Sequence, residues 1–352
     1  MNLYKVMATS RFSGSGSSGW TQASLAAWLA QQRGQSQGPR NLCSSTPGEV
    51  HSGIGNLGAT CYLNSSLQIL ALLSSRLTPD SRKPAYVEPR QLLTDILGKL
   101  ATKTLTDADI KKVCGDFLSK SVADLTGLSG DLIRQHQDAS EVLTKFLGLY
   151  LPSLSIRTSV IPNRGTYKGQ DFTKSEAQSI VSVPLTGVAD GTLFSALVLR
   201  EYGINQAGEQ MTGKNQFVPV EGAPSVDAVK KHFLVPTGNS DGIVFFDLKR
   251  FTYNRLLNRR EKISTPVSVD SRFVMPVGDA MVQFDLVGGI IHDGTAHGGH
   301  YVSFAQHDGQ PGYTVFDDSG VSHVAQPSDV PGINTGGYVV AYRMTPASQS
   351  FA

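Results

Sequence analysis

A cysteine, a pair of carboxylates and a run of histidines are the side chains whose types and spacing could do chemistry. Cys61 follows the glycine-punctuated segment Gly53-Ile-Gly-Asn-Leu-Gly-Ala-Thr and opens an apolar-striped run carrying Leu63, Leu67, Leu70 and Leu73. A loop that delivers a cysteine to the first turn of a helix sets the thiol beside unsatisfied N–H groups and the positive end of the dipole. Both favour a thiolate and can hold an oxyanion. Asn56, five residues earlier, could add an amide donor to such a hole. The competing reading is a buried, inert thiol at a helix start, which is how free cysteines commonly end up. Spacing alone does not choose between them. Further on, His136-Gln-Asp-Ala-Ser-Glu-Val-Leu143 puts Asp138 at the start of a helix and Glu141 one turn on. Such a pair suits either a basic ligand or a capping box. His292, His297, His300 and His307 fit no common zinc spacing and have no evident thiol or carboxylate partner, which argues against a metal cluster. His292 and His297 read as loop residues at the rim of a cleft.

The segment Gly53 to Gln68 resembles the cysteine box of the ubiquitin-specific proteases, the papain-like class of deubiquitinating enzymes. It departs from Gly-Leu-x-Asn-x-Gly-Asn/Ala-Thr-Cys-Tyr-Met-Asn-Ser-x-Leu-Gln only at Ile54 and Leu63. The Asp138 segment is similar to the family's Gln-Gln-Asp-Ala-x-Glu-Phe-Leu, with His136 and Val142 as departures. Gly288 to Phe304, followed by Phe316-Asp317-Asp318, resembles its histidine box. Leu248-Lys-Arg-Phe251, Gly213-Lys-Asn-Gln-Phe217 and Ala341-Tyr-Arg343 are similar to further family segments, so the resemblance runs from about Gly53 to Met344. It implies Cys61 as nucleophile, His300 as general base and Asp317 as its orienting partner. It further implies Asn56 in the oxyanion hole, with Asp318 as a second candidate. Gln137, Asp138, Glu141, Gly299 and Tyr301 would meet the substrate, the acids facing the basic tail of ubiquitin. The activity implied is thiol-dependent hydrolysis of the bond between the C-terminal glycine of ubiquitin and a substrate lysine or another ubiquitin. A protease for a ubiquitin-like modifier and an inactive ubiquitin-binding module are the alternatives. All three triad positions are filled, which weighs against the last. No cofactor or metal is expected. The family's zinc-ribbon CxxC is absent at Val218 to Gly222, so its β extension should be reduced, metal-free and held by strand pairing and packing alone.

Strand geometry also bears on which aspartate partners His300. Runs 301–304 and 313–316 read as antiparallel strands, with Asp308-Gly309 as the turn. A hairpin centred there sets His300 opposite Asp317 at a non-hydrogen-bonded pair, with Cα atoms only about 4.5 Å apart. A slip of one residue would hand the role to Asp318.

These side chains must be carried by a scaffold, and the pattern gives an α+β one. Helical periodicity marks 60–74, 92–100, 110–118 and 139–150; beyond Tyr150 the period changes to two, with strands at 180–185, 243–251, 284–291, 301–304, 313–316 and 338–342. Helices followed by strands suggest a papain-like thumb over about 53–150, fingers over about 165–235 and a palm over about 240–344, within a catalytic domain of 51–346. Residues 1–50 read as a flexible Ser/Gly/Gln-rich tail with one short helix over 21–33. Net charge is only +2, from 31 basic and 29 acidic residues, which excludes a globally basic nucleic-acid binder. Three cysteines with no CxxC pair fit a reducing compartment. The first residues, Met1 to Ala8, lack the apolar stretch of a signal peptide, and no run approaches the length of a membrane span, so neither is expected. A monomeric cytoplasmic enzyme is the expectation; a minimal zinc-free domain behind a Ser/Gly leader would also suit a pathogen effector in a host cytosol.

Overall fold

The computed structural model describes residues 52–120, 128, 130–237, 242–255, 258–307 and 311–347. The expected tail with its helix, Cys43 and the Asp308-Gly309 turn lie outside the described residues. Among those described, no helix is long and apolar enough to cross a membrane.

The helical half forms as the apolar spacing requires. α1 (Cys61–Leu73) is buried almost all round. Its polar Ser65 and Ser66 turn their hydroxyls onto the Tyr62 carbonyl, and Gln68 donates to that of Ser52, so burial strands few donors. α2 (Val87–Ala101) buries the stripe Leu93, Ile96, Leu97 and Leu100. The helix expected over 110–118 is two pieces. α3 (Asp107–Lys112) starts on a capping box of Thr106 and Asp109, and widens into a π-helical stretch at Val113–Leu118. That stretch turns Val113, Cys114, Phe117 and Leu118 into the core. α4 (Ala139–Leu147) buries Val142, Leu143, Phe146 and Leu147.

The strands form two main sheets. β1 (Leu154–Pro162) and β2 (Phe172–Gln178) belong to a four-stranded sheet, while β3 (Ile180–Pro184) and the short β4 (Thr192–Leu193) lead into α5 (Phe194–Tyr202). β5 (Glu209–Met211) and β6 (Ala228–Pro236) complete the four-stranded sheet in the order β2-β1-β6-β5. None of its strands stood out in the sequence, because β2 is exposed on both faces and β6 is mostly half-buried, with only Ala228 and Leu234 buried, so neither alternates. This sheet lies where the reduced extension was expected, and its longest strands run nine residues.

The larger sheet carries the chemistry. It uses β7 (Ile243–Lys249), then after the hairpin of β8 (Phe251–Asn254) and β9 (Arg259–Lys262) and the two-residue β10 (Val267–Ser268), β11 (Arg272–Val277) and the long β12 (Ala280–Thr295). β13 (Gly298–Ala305), β14 (Tyr313–Asp317), β15 (Gly320–Val324), the one-turn α6 (Ile333–Gly336) and β16 (Gly337–Pro346) follow. The order is β15-β14-β13-β12-β16-β7-β3, with β11 paired to β12. β7 is buried on both faces. Ile243 and Phe245 pack against the helices, and Val244, Phe246 and Leu248 face a second core built with Phe194 and Leu197 of α5. The single strand expected over 243–251 breaks at Arg250. Its buried guanidinium donates to the carbonyls of Gly337, Ile263, Thr265 and Asn334, tying β16 and α6 to the β9–β10 segment.

Candidate active site

Cys61 is the first residue of α1, as the glycine-rich approach requires. Asn56 organises that approach. Its Oδ1 accepts from the N–H groups of Gly58 and Thr60, both at 3.0 Å. The Ala59 N–H donates to the Ile133 carbonyl at 2.7 Å. Gly53 has no room for a Cβ, which would overlap the backbone of Ser319 in the β14–β15 turn. Thiol burial pushes the Cys61 pKa up, and the Asp318 charge adds to this. The N–H groups of Tyr301, Tyr62 and Cys61 itself pull it down. Cys61 is therefore a covered thiol at a helix start.

The β13–β14 register differs from the expected one. Ser303 faces Phe316, two residues further along β14 than a turn centred on 308–309 would give. Because the displacement is even, the faces are unchanged. His300 Nε2 still meets Asp317 Oδ1, at 2.5 Å, whereas Asp318 Oδ2 is 3.9 Å away. Asp318 has φ +48° in the two-residue turn to β15 and serves the other wall. Its carboxylate accepts from Asn56 Nδ2 at 2.9 Å and Asn64 Nδ2 at 2.7 Å, and its carbonyl accepts from the Ile54 N–H at 2.8 Å. A carboxylate accepting from two amides has no hydrogen for an oxyanion. Asp318 is thus corrected from a hole donor to a clamp on the cysteine loop. One N–H of Asn56 is spent on that clamp, leaving the other as donor.

Asp138 caps α4, accepting from the N–H groups of Ser140 and Glu141. The Tyr338 hydroxyl donates to the same carboxylate at 2.7 Å. No reciprocal capping box forms: Glu141 points outward and pairs loosely, at 3.9 Å, with Lys145. Asp138, Glu141 and Tyr338 line a cleft of about 410 Å³, closed by Ile180 and Ser182 of β3 and by Asp247 and Lys249 of β7. Gln137 lies half-buried just before α4. Tyr301 packs against Tyr338 of the cleft wall, with ring centroids 6.0 Å apart. Gly299 stands where a Cβ would overlap the Asp293 carbonyl and the His292 ring.

His292 is not a rim residue. It lies buried on β12 among the rings of Phe251, Tyr301 and Tyr338, and burial brings its pKa down to about 4. His297 stays in the β12–β13 turn, its N–H on Thr295 Oγ1. Sequence reading missed Tyr338, Asp247 and Lys249 as cleft residues. They sit in strands whose pattern signals only burial, and nothing local marks them as facing α4.

Residues 242–342 match the family model of ubiquitin carboxyl-terminal hydrolase. Ubiquitin carboxyl-terminal hydrolase 26 of Oryza sativa subsp. japonica is 28% identical over 296 residues, an alignment covering 78% of this chain. The chain spans about a quarter of that relative's length, 26%. The SAGA Ubp8/Sgf11/Sus1/Sgf73 DUB module bound to ubiquitin aldehyde contains a chain with TM-score 0.63 and 16% identity, over 94% of this chain and 77% of that one. The same module bound to monoubiquitin gives 0.60 and 17%, at the same coverage. These structures share the fold. With the cysteine helix, the capped α4 and the His300–Asp317 pair in one frame, the chain is similar to ubiquitin carboxyl-terminal hydrolases over its histidine segment and shares the fold of the ubiquitin-bound modules.

Proposed function

We propose that the protein is a cysteine-type deubiquitinase, with residues 51–346 as its catalytic domain. It would hydrolyse the bond between the C-terminal glycine of ubiquitin and a lysine of a substrate or of another ubiquitin. The observation that carries this reading is the His300–Asp317 pair at 2.5 Å, built on the strand whose Tyr301 N–H reaches the Cys61 thiol. With Nε2–H donated to Asp317, Nδ1 carries the lone pair that takes the thiol proton. Because burial raises the thiol's pKa, the proton leaves as Cys61 Sγ attacks the glycine carbonyl. The oxyanion that forms is met by the N–H groups at the start of α1 and by Asn56. The imidazolium then protonates the departing amine as the tetrahedral intermediate collapses to a thioester. Water, deprotonated by His300, attacks that thioester and releases the glycine carboxylate and the thiol. Cys61 is 1% exposed, which suits a substrate whose last residues are glycines. The polar cleft with Asp138 and Glu141 suits a basic tail. The relatives' ubiquitin ligands favour ubiquitin over its homologues.

Unpaired Cys61 and Cys114 fit a reducing compartment such as the cytoplasm, and a triad drawn from one chain fits a monomer. The test is labelling with ubiquitin bearing a C-terminal electrophile, beside matching probes built on ubiquitin-like modifiers. Intact mass should show one adduct with the ubiquitin probe, abolished by Cys61→Ala. Adducts that persist in that variant would remove Cys61 from the reaction. Labelling by a ubiquitin-like probe alone would move the substrate to that modifier.

A further inference from the structure

The strand opposite the base loses its outer neighbour just where the base sits. β12 pairs with β13 through His292–Tyr301, Asp293–His300 and Gly294–Gly299. On its other edge the ladder to β16 ends at Ile291–Gly337. Past that point β12 would present unpaired carbonyls at a partly buried edge, a position that normally needs a donor. Lys262, the last residue of β9, supplies one. Its ammonium donates to the His292 carbonyl at 2.7 Å and the Gly294 carbonyl at 3.1 Å. Those two carbonyls flank Asp293, the residue paired with His300. One ring of the same hairpin adds to the contact, Phe251 lying edge-on to His292 with centroids 5.1 Å apart.

We propose that Lys262 is a positioning residue for the general base: its ammonium stands in for the missing strand at the edge of β12 and so fixes the backbone that holds His300 against Asp317. An ammonium serves here because it has three donors in a compact group that can span two carbonyls of one strand edge. Gly299, wedged against the Asp293 carbonyl and the His292 ring, leaves this end of the hairpin no slack to relax locally. Without Lys262 the β12 end would shift outward, carrying His300 with it.

The inference rests on the deubiquitinase reading for its kinetic readout, and a spectroscopic one stands apart from it. Lys262→Met, Lys262→Gln and Lys262→Arg are compared on ubiquitin carrying a C-terminal fluorogenic amide. A base moved by a fraction of an ångström should lower kcat roughly tenfold to a hundredfold in the Met variant. KM, and ubiquitin affinity in a Cys61→Ala background, should stay within about twofold, since no proposed tail contact is touched. Arg, which can also span two carbonyls, should restore most of kcat, with Gln between. In wild type the His300 ring proton bonded to Asp317 should resonate far downfield by NMR, fade in Lys262→Met and return in Lys262→Arg. A folded Met variant with wild-type kcat and ring signal would overturn the proposal. So would a kcat loss that merely follows the folded fraction. Should the Met variant not fold, the Gln variant carries the same test. Wild-type protein that turns over no ubiquitin substrate would refute the deubiquitinase reading, and the NMR comparison would then decide Lys262 alone.

Discussion

Asp317 and Asp318 are chemically identical neighbours set to opposite tasks by one left-handed residue. Asp317 ends β14 on the His300 side, 65% exposed at its side chain, while Asp318 at φ +48° turns back to hold Asn56 and Asn64 and is only 16% exposed. Asp317→Asn replaces an acceptor with an amide that can present N–H to Nε2 and so favour the wrong tautomer. Turnover should fall by about two to four orders of magnitude. Asp318→Asn keeps one acceptor oxygen and tolerates the left-handed backbone, so the cysteine loop loosens and turnover should fall by only about tenfold. Initial rates on a fluorogenic ubiquitin amide check this, and the reverse ranking would reassign the third member of the triad. The sequence supported this pair through a turn whose assumed length was wrong by two residues, and the partner came out the same because strand faces repeat every two.

The N-terminus of α4 sets a tied acid and an exposed one within one turn. Asp138 is tied by two backbone N–H groups and by the Tyr338 hydroxyl, whereas Glu141 faces the cleft with a side chain 55% exposed. Asp138→Ala should therefore cost about 1 kcal/mol of stability through the lost cap. It should also raise KM, because Tyr338 loses its anchor at the cleft wall. Glu141→Lys should leave the melting temperature nearly unchanged, since an exposed pair at this distance contributes little. It should raise KM for ubiquitin substrates several-fold more than for a short neutral glycine ester. Thermal melts and paired Michaelis curves on the two substrates decide it. Equal KM changes on both would return Glu141 to a plain helix residue. The Asp-x-x-Glu spacing could not separate these roles, because a capping box and a binding pair share it, and the difference came from Tyr338 on a strand two hundred residues away in sequence.

His292 reports on how the whole fold closes, since it sits where β8, β12, β13 and β16 converge on an aromatic cluster. Buried and neutral, its folded pKa lies near 4, against an ordinary 6.5. The unfolded chain therefore binds the extra proton between these values and the folded one does not. Stability attributable to His292 is full above about pH 6.5, declines as pH falls toward 4 and is flat below, amounting to on the order of 3 kcal/mol. Urea midpoints measured from pH 7 to pH 4 should fall in wild type. His292→Phe, which keeps a ring in the cluster and cannot titrate, should flatten that slope even if it shifts the absolute value. An unchanged slope would place the acid sensitivity elsewhere.

The cysteine at a helix start, the capping acid and the helix-then-strand order were legible in the linear chain, because each rests on short-range spacing, whereas roles for Cys61 and His300 came only from the resemblance. A glycine loop ends in a helix start, apolar stripes follow 3.6 or 2, and Thr106 and Asp138 cap the helices they precede. The four-stranded sheet was not legible, since strands half-exposed on both faces carry no period. Nor was the burial of His292, the clamp formed by Asp318 or the edge contact of Lys262. Each of these joins segments that are distant in sequence through a contact that leaves the local pattern unchanged: a carboxylate reaching back to a loop 262 residues earlier, an ammonium taking carbonyls 30 and 32 residues on. Such contacts are set by where strands end and what their edges still lack, and that is known only once the sheet has formed.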